Sequence, residues 1–222
     1  MKLVPVYPLV PAPQYYAGLD LGELRDFSAL TILEKLTTLA GRDPVSFAWL
    51  TEIRWNVRLL KRWKLGTTYP EIIADLCDLF DRWPLRGAVR LAIDSTGAGL
   101  PVLRAMQRAN LKAAGITGVV ISAGSAENRL VDGRISVPKR NLVSQVAILL
   151  QQGKLKIAAD LPEAQALVRE LLNFRAKISE TGHDTYEAWR SGDHDDLVLS
   201  AALAVWLAKP GQFVGEVAQS IC

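Results

Sequence analysis

The sequence predicts a mixed α/β fold, an antiparallel three-strand meander followed by parallel strands, with helices flanking the sheet. Two observations carry this. Three short runs rich in apolar, β-branched and aromatic residues follow one another over 15–55 with only brief turn-prone links, the pattern of a meander. From residue 70 onward, stretches with helical apolar spacing alternate with short apolar runs, the pattern of crossover units. A third observation excludes the obvious alternative: no glycine-rich turn follows the first strand, which feeds a second strand instead of a helix, so a dinucleotide-binding fold is not expected.

The first strand is YYAGLDLG (15–22), apolar enough for a sheet centre. SALTILEKL (28–36) and SFAWLTEIRW (46–55) are the second and third, with AGRDP (40–44) as the turn between them. PEIIADLCDLFDRW (70–83) has apolar residues at helical spacing, with Pro70 suited to a first turn. RLAIDSTG (90–97) is a strand, LPVLRAMQRANL (100–111) a helix and GVVISAG (118–124) a strand. NLVSQVAILLQQG (141–153) and PEAQALVRELLNF (162–174) are helices, with KLKIA (154–158) a short strand between them. FRAKIS (174–179) and DTYEAW (184–189) are expected to form a hairpin around ETGH, and the last helix to run from about Asp193 to Lys209, ended by Pro210 and Gly211.

With 222 residues, half of them hydrophobic, the chain can bury one sizeable core. The expected organisation is an extended proline-rich arm or linker remnant over 1–14, one domain over 15–210 and a tail over 211–222. Pro5, Pro8, Pro11 and Pro13 break any signal-peptide or membrane helix at the start, and no run of 18 apolar residues occurs. A formal net charge of +3 permits a polyanionic partner without demanding one. Cys77 and Cys222 offer no disulfide framework, which points to a reducing compartment. No GxxxxGK[ST] loop is present, so no ATPase of that type is expected.

The chemistry is concentrated in acids. GLDLG, with Asp20, and LAIDSTG, with Asp94, share one local pattern: apolar residues, then Asp, then a small turn. A carboxylate at the end of a buried strand is costly unless it is paired or ligates a metal. One such Asp can be explained as a cap on the following turn. Two in matching contexts, together with Asp195 and Asp196 at the head of the apolar helix LVLSAALAVWLA, favour a shared role. Carboxylates about 4 Å apart repel by roughly 4 kcal/mol per pair at an effective dielectric of about 20, so such a cluster calls for a cation. With oxygen donors, no thiolates and few histidines, Mg²⁺ or Mn²⁺ is the expected occupant. Two such ions can activate a water and stabilise the leaving oxygen of a phosphodiester.

GLDLGELRDFSALTILE (18–34), IDSTGAGLPVL (93–103) and GDHDDLVLSAALAVW (192–206), taken together, resemble the nuclease domain of the large terminase subunit of tailed phages. The resemblance spans essentially the whole chain from about residue 15 and implies a ribonuclease H-like fold. It implies that Asp20 and Asp94 are metal ligands and that Asp195 and Asp196 are the family's acidic pair at the start of the last helix. Which of the pair touches the ion stays open, with Asp196 favoured. Asp26, six positions after Asp20, matches a further acidic position near the metal site. His194 matches the residue before the pair, expected behind the ligands or as a helix cap. Two divalent cations, Mg²⁺ or Mn²⁺, are the implied cofactors, and hydrolysis is expected to leave a 3′-hydroxyl and a 5′-phosphate.

The family's N-terminal packaging ATPase is not found in this sequence, so an isolated domain, a split gene product or a stand-alone nuclease is expected, and ATP-driven translocation is not assigned. The implied partners are double-stranded DNA, a packaging ATPase domain, a portal protein and a small terminase subunit, in the cytoplasm of an infected bacterial host, with no membrane association.

EIRWNVRLLKRWK (52–64) places Arg54, Arg58, Lys61, Arg62 and Lys64 around Trp55 and Trp63. Basic groups attract phosphates and aromatic rings pack on sugars or unpaired bases. The competing explanation is a strand or helix end whose tryptophans anchor it to the core. Lys139 and Arg140, and Arg175 and Lys177, are further basic candidates. Nothing resembles a recognition helix, so any DNA contact should be directed at the backbone. The glycines of GAG (97–99) are read as tight-turn residues, and His183 and Asp184 as parts of the expected hairpin turn. The expected function is therefore a metal-dependent endonuclease cutting double-stranded DNA with little sequence specificity. The alternatives are a structure-selective nuclease of the same fold, such as a Holliday-junction resolvase, a motor assembly module active only in complex, or a non-enzymatic DNA binder.

Overall fold

A computed structural model of the chain describes residues 9–22, 26–97, 99–181 and 195–209, with backbone alone over 174–181. Its strands form one eight-stranded mixed sheet in the order β6-β7-β5-β4-β1-β2-β3-β8. β1 (Gln14–Asp20), β2 (Ala29–Arg42) and β3 (Trp49–Arg62) are the antiparallel meander. β4 (Val89–Asp94) adds parallel to β1, and β5 (Gly115–Ser122) parallel to β4. Between them lie α1 (Tyr69–Phe80) and α2 (Gly99–Arg108). After β5 come β6 (Asn128–Arg129) and β7 (Ile135–Pro138), then α3 (Lys139–Gln151), β8 (Leu155–Ile157), α4 (Ala164–Thr181) and α5 (Asp196–Leu207). The fold class read from the sequence is the one observed.

The sheet separates two apolar layers. Ala17, Leu19, Leu91 and Ile93 pack with Ile72, Leu76 and Phe80 of α1 and with Met106 of α2. Tyr16, Leu33 and Ala92 pack on the other side with α3, Leu167 of α4 and the apolar length of α5. Strand alternation therefore sends Tyr16, Gly18 and Asp20 toward α5 and their neighbours toward α1 and α2. α5 lies against β1 at Gly18, where an added Cβ would stand 2.0 Å from the Ser200 carbonyl oxygen and 2.6 Å from the Ala204 amide nitrogen. Midway along α5, the Ser200 and Thr31 hydroxyls share a buried hydrogen bond of 2.8 Å.

Three expectations change. The turn after β2 slides from 40–44 to 43–48: Asp43 Oδ1 accepts from the Val45 and Ser46 amides at 3.0 and 2.7 Å, and β2 and β3 pair as far as Arg42 and Trp49. The short β6 and β7 are additions that two and four residues ending in proline do not announce. FRAKIS is not a strand but continues α4 to Thr181, because no breaker interrupts the helical spacing before Gly182. Its expected partner DTYEAW, with His183 and Asp184, lies outside the described residues, as does His194. Among the described residues no helix is long and apolar enough to cross a membrane.

Candidate functional site: acids at the ends of β1, β4 and α5

Leu19 of β1 pairs with Ile93 of β4 in a parallel ladder, so the next residues, Asp20 and Asp94, end neighbouring strands side by side. Both follow the alternation onto the face covered by α5. The first residue of α5 is Asp196 and its N-cap is Asp195. Asp20 and Asp196 are buried, and Asp94 and Asp195 half-buried.

Asp94, Asp195 and Asp196 all stand near enough for their charges to act on Asp20. Burial raises the Asp20 carboxyl well above its ordinary value, and the charges of Asp94, Asp196 and Asp195 push it further, against the opposing pull of Lys139. Burial raises Asp94 as well, while hydrogen bonds from Thr96, the charge of Lys139 and a hydrogen bond from Asp20 hold it back. Both strand-end acids therefore hold a proton more tightly than a free aspartate does. Asp94 is oriented locally: its Oδ1 accepts from the Thr96 amide at 2.8 Å and the Thr96 hydroxyl at 2.6 Å. The same hydroxyl accepts from the Ile121 amide at 2.9 Å, tying the β4–α2 turn to β5.

Lys139, the first residue of α3, points into this cluster and donates from Nζ to Asp195 Oδ2 at 2.7 Å. Arg140 is exposed, with Nη2 3.5 Å from the Ser125 carbonyl. Asp26 stands exposed in the β1–β2 connection and is not among the principal charges acting on Asp20 or Asp94.

The basic run of β3 divides between the two faces. Arg62 turns toward α4 and α5, where its guanidinium bonds Glu170 and lies 3.9 Å from Glu163 and 3.8 Å from Asp196 Oδ2. Lys61 turns toward α1 and bonds Asp75, which also accepts from the Trp63 indole at 2.7 Å. Arg58 pairs with buried Glu34 at 2.8 Å, Arg54 with Glu52 at 3.2 Å, and Lys64 is exposed. Trp55 and Trp63 are buried in the core, so the anchoring explanation describes both indoles. The side chains of Arg175 and Lys177 lie outside the described residues.

The sequence reading passes over Glu170, whose Oε2 accepts from the Leu197 and Val198 amides at 3.0 and 3.1 Å. Burial raises its carboxyl to about 7 against the pull of Arg62 and the Val198 amide. A signal was present: Glu170 interrupts the buried stripe Ala164, Leu167 of a helix, where an acid requires a partner.

Among the described residues no three of these side chains already stand in a ligating arrangement. The donor set nevertheless fits a hard divalent cation. It is all oxygen, and the charges of Asp94, Asp195 and Asp196 around buried Asp20 are ones that a cation would neutralise.

No protein-family model and no curated protein matches the sequence. Solved structures do. The manganese-soaked nuclease domain of the human cytomegalovirus terminase aligns with a TM-score of 0.51 and 10% identity, over 87% of this chain and 83% of that one. The large terminase nuclease from thermophilic phage G20c aligns with a TM-score of 0.46 and 19% identity, over 88% and 82%. The chain thus has the ribonuclease H-like fold of terminase nuclease domains.

Proposed function

We propose that this chain is the nuclease domain of a terminase large subunit, a metal-dependent endonuclease that cleaves double-stranded DNA with little sequence preference. One observation carries the reading: Asp20 and Asp94 end neighbouring parallel strands side by side, and Asp94, Asp195 and Asp196, from two further elements, all act on the charge of Asp20. The carboxyl ends of parallel strands are where open α/β sheets place their ligands. The fold shared with a terminase nuclease domain soaked with manganese supports it.

Asp20, Asp94 and Asp196 are the residues that would hold two divalent cations, with Asp195 assisting. Bound there, such ions make a water nucleophilic at neutral pH and stabilise a leaving phosphoester oxygen. The chain supplies the rest. The hydrogen bonds from Thr96 hold Asp94 in one orientation, and the β1–β4 ladder fixes its distance from Asp20. Lys139 adds a positive charge at the cluster that favours an approaching phosphate. Within a packaging complex, the domain's partners would be DNA, the packaging ATPase, the portal and the small terminase subunit.

Incubation of the purified chain with supercoiled plasmid and Mn²⁺ tests the reading. Nicking is expected at many positions, lost on addition of EDTA and lost in Asp94→Ala. A wild-type chain that leaves plasmid intact, or an Asp94→Ala variant that cuts as well as wild type, refutes it.

A further inference from the structure

An acid at a helix N-cap ordinarily turns its carboxylate back onto the free amides of the first turn. Asp195 does not. Its side chain makes no capping hydrogen bond, and its Oδ2 accepts instead from Lys139. The amides it leaves, those of Leu197 and Val198, are capped from another helix by Oε2 of Glu170. The other oxygen, Oε1, accepts from Arg62 Nη2. The Arg62 guanidinium lies 5.1 Å from the centroid of the Phe27 ring and 3.8 Å from Asp196 Oδ2. Glu170 and Asp196 are both buried. A buried carboxylate is retained where charged or polar partners compensate its lost hydration, and Glu170 has three: two amides and a guanidinium.

We propose that Glu170 is a positioning residue for the acidic cluster. It caps α5 in place of Asp195, leaving the Asp195 and Asp196 carboxylates for the cluster, and with Arg62 it determines where Asp196 stands. This rests on the cluster being the metal-binding centre proposed above. The logic is that of outer-shell partners of metal ligands, whose removal weakens metal binding without removing a ligand. Arg62 belongs to the same device: its position on β3, in register with Ala29 of β2, brings a cation from the sheet under the head of α5.

The test compares the full chain with Glu170→Ala, Glu170→Gln and Ser200→Ala. Amide hydrogen exchange is read in the metal-free protein, and Mn²⁺ affinity by calorimetry. Glu170→Ala is expected to speed exchange at Leu197 and Val198 at least tenfold while the β1 amides keep their wild-type rates. It should weaken Mn²⁺ binding about ten- to a hundredfold, and cleavage should recover as Mn²⁺ is raised. Glu170→Gln keeps an oxygen for the amides but lacks the charge that holds Arg62, so exchange should stay near wild type and Mn²⁺ affinity fall between the two. It carries the comparison alone if Glu170→Ala does not fold. Ser200→Ala removes the hydroxyl bonded to Thr31 in mid-helix, and should lower thermal stability with Mn²⁺ affinity unchanged.

Wild-type exchange at Leu197 and Val198 in Glu170→Ala refutes the cap. Lost protection there with wild-type Mn²⁺ affinity refutes the positioning role. A wild-type chain that neither binds Mn²⁺ nor nicks DNA overturns the functional reading and the positioning role with it, and the exchange rates then decide the cap by themselves.

Discussion

Gly18→Ala is the perturbation that most directly tests how α5 is mounted. Gly18 sits in the centre of β1, on the face toward α5, and its new Cβ would lie 2.0 Å from the Ser200 carbonyl oxygen, 2.6 Å from the Ala204 nitrogen and 2.9 Å from Leu203 Cβ. Two of these three atoms are backbone, so no side-chain rotation relieves the clash. Ordinary contact begins near 3.4 Å, which means the helix must retreat by more than an ångström. Overpacking of this kind costs about 1–3 kcal/mol. The functional cost should be larger in proportion, because the retreat carries Asp195 and Asp196 away from Asp20 and Asp94. A misplacement of roughly 1 Å lowers a rate by about a hundredfold.

Urea denaturation measures the first effect. Plasmid nicking in Mn²⁺, at a temperature where both proteins are folded, measures the second. Gly115→Ala is the matched control, since nothing lies within 4 Å of its Cβ position. A Gly18→Ala variant with wild-type stability refutes the close approach. One that is destabilised yet cuts at the wild-type rate refutes the role of α5 as the mount of the acid pair.

The remaining predictions concern charge. Asp20→Asn should raise the melting temperature of the metal-free protein near pH 8, by removing a buried charge that three neighbouring acids oppose, while abolishing nicking; a lower melting temperature contradicts the assigned repulsion. Asp20, Asp94 and Glu170 all bind protons more tightly folded than unfolded, so the folded protein holds more protons and loses stability as pH rises through each window, for Glu170 from 4.5 to about 7. The acids pulled the other way, Asp43, Glu71, Asp75 and Asp132, have their windows below their ordinary values of 3.8 to 4.5. The metal-free melting temperature should therefore fall between about pH 5 and pH 7.5, and Mn²⁺ should flatten the fall; a rise across that interval is the contrary result. Asp75→Ala strands the buried Trp63 indole N–H and should destabilise the chain by about 1–3 kcal/mol, visible in urea, with nicking intact.

What the sequence made legible follows from which forces are local. Strand and helix periods are local, so the meander, the crossovers and the apolar last helix could be read from residue order. The acids at the ends of β1, β4 and α5 could be singled out because each breaks an apolar context. Lys61, Trp63 and Arg62 could not be sorted by sequence alone. Adjacent residues of one basic run go to opposite faces, and which face holds α1 and which holds α4 is a property of the assembled sheet. Glu170 can be singled out as an acid in a buried stripe, but its role cannot, because its partners are amides 27 and 28 residues away. FRAKIS was misread because its composition suits a strand, whereas continuation of α4 decided its conformation.

The apolar character of α5 and the acids at its head are two parts of one design. A close carboxylate pair repels by roughly 4 kcal/mol at an effective dielectric near 20, whereas burying one Val or Leu side chain is worth about 1.5–3 kcal/mol. α5 buries Leu197, Val198, Leu199, Leu203, Val205 and Trp206, so the apolar term has the magnitude to carry Asp195 and Asp196 in beside Asp20. The repulsion does not vanish. It remains as part of the raised proton affinity of Asp20, beside the effect of burial, and Lys139 opposes it there. A helix amphipathic in the usual way could satisfy its core with one face and leave its head free to shift. A helix buried along its length has its position set by hydrocarbon packing, and that packing holds the acids where their own charges would not place them.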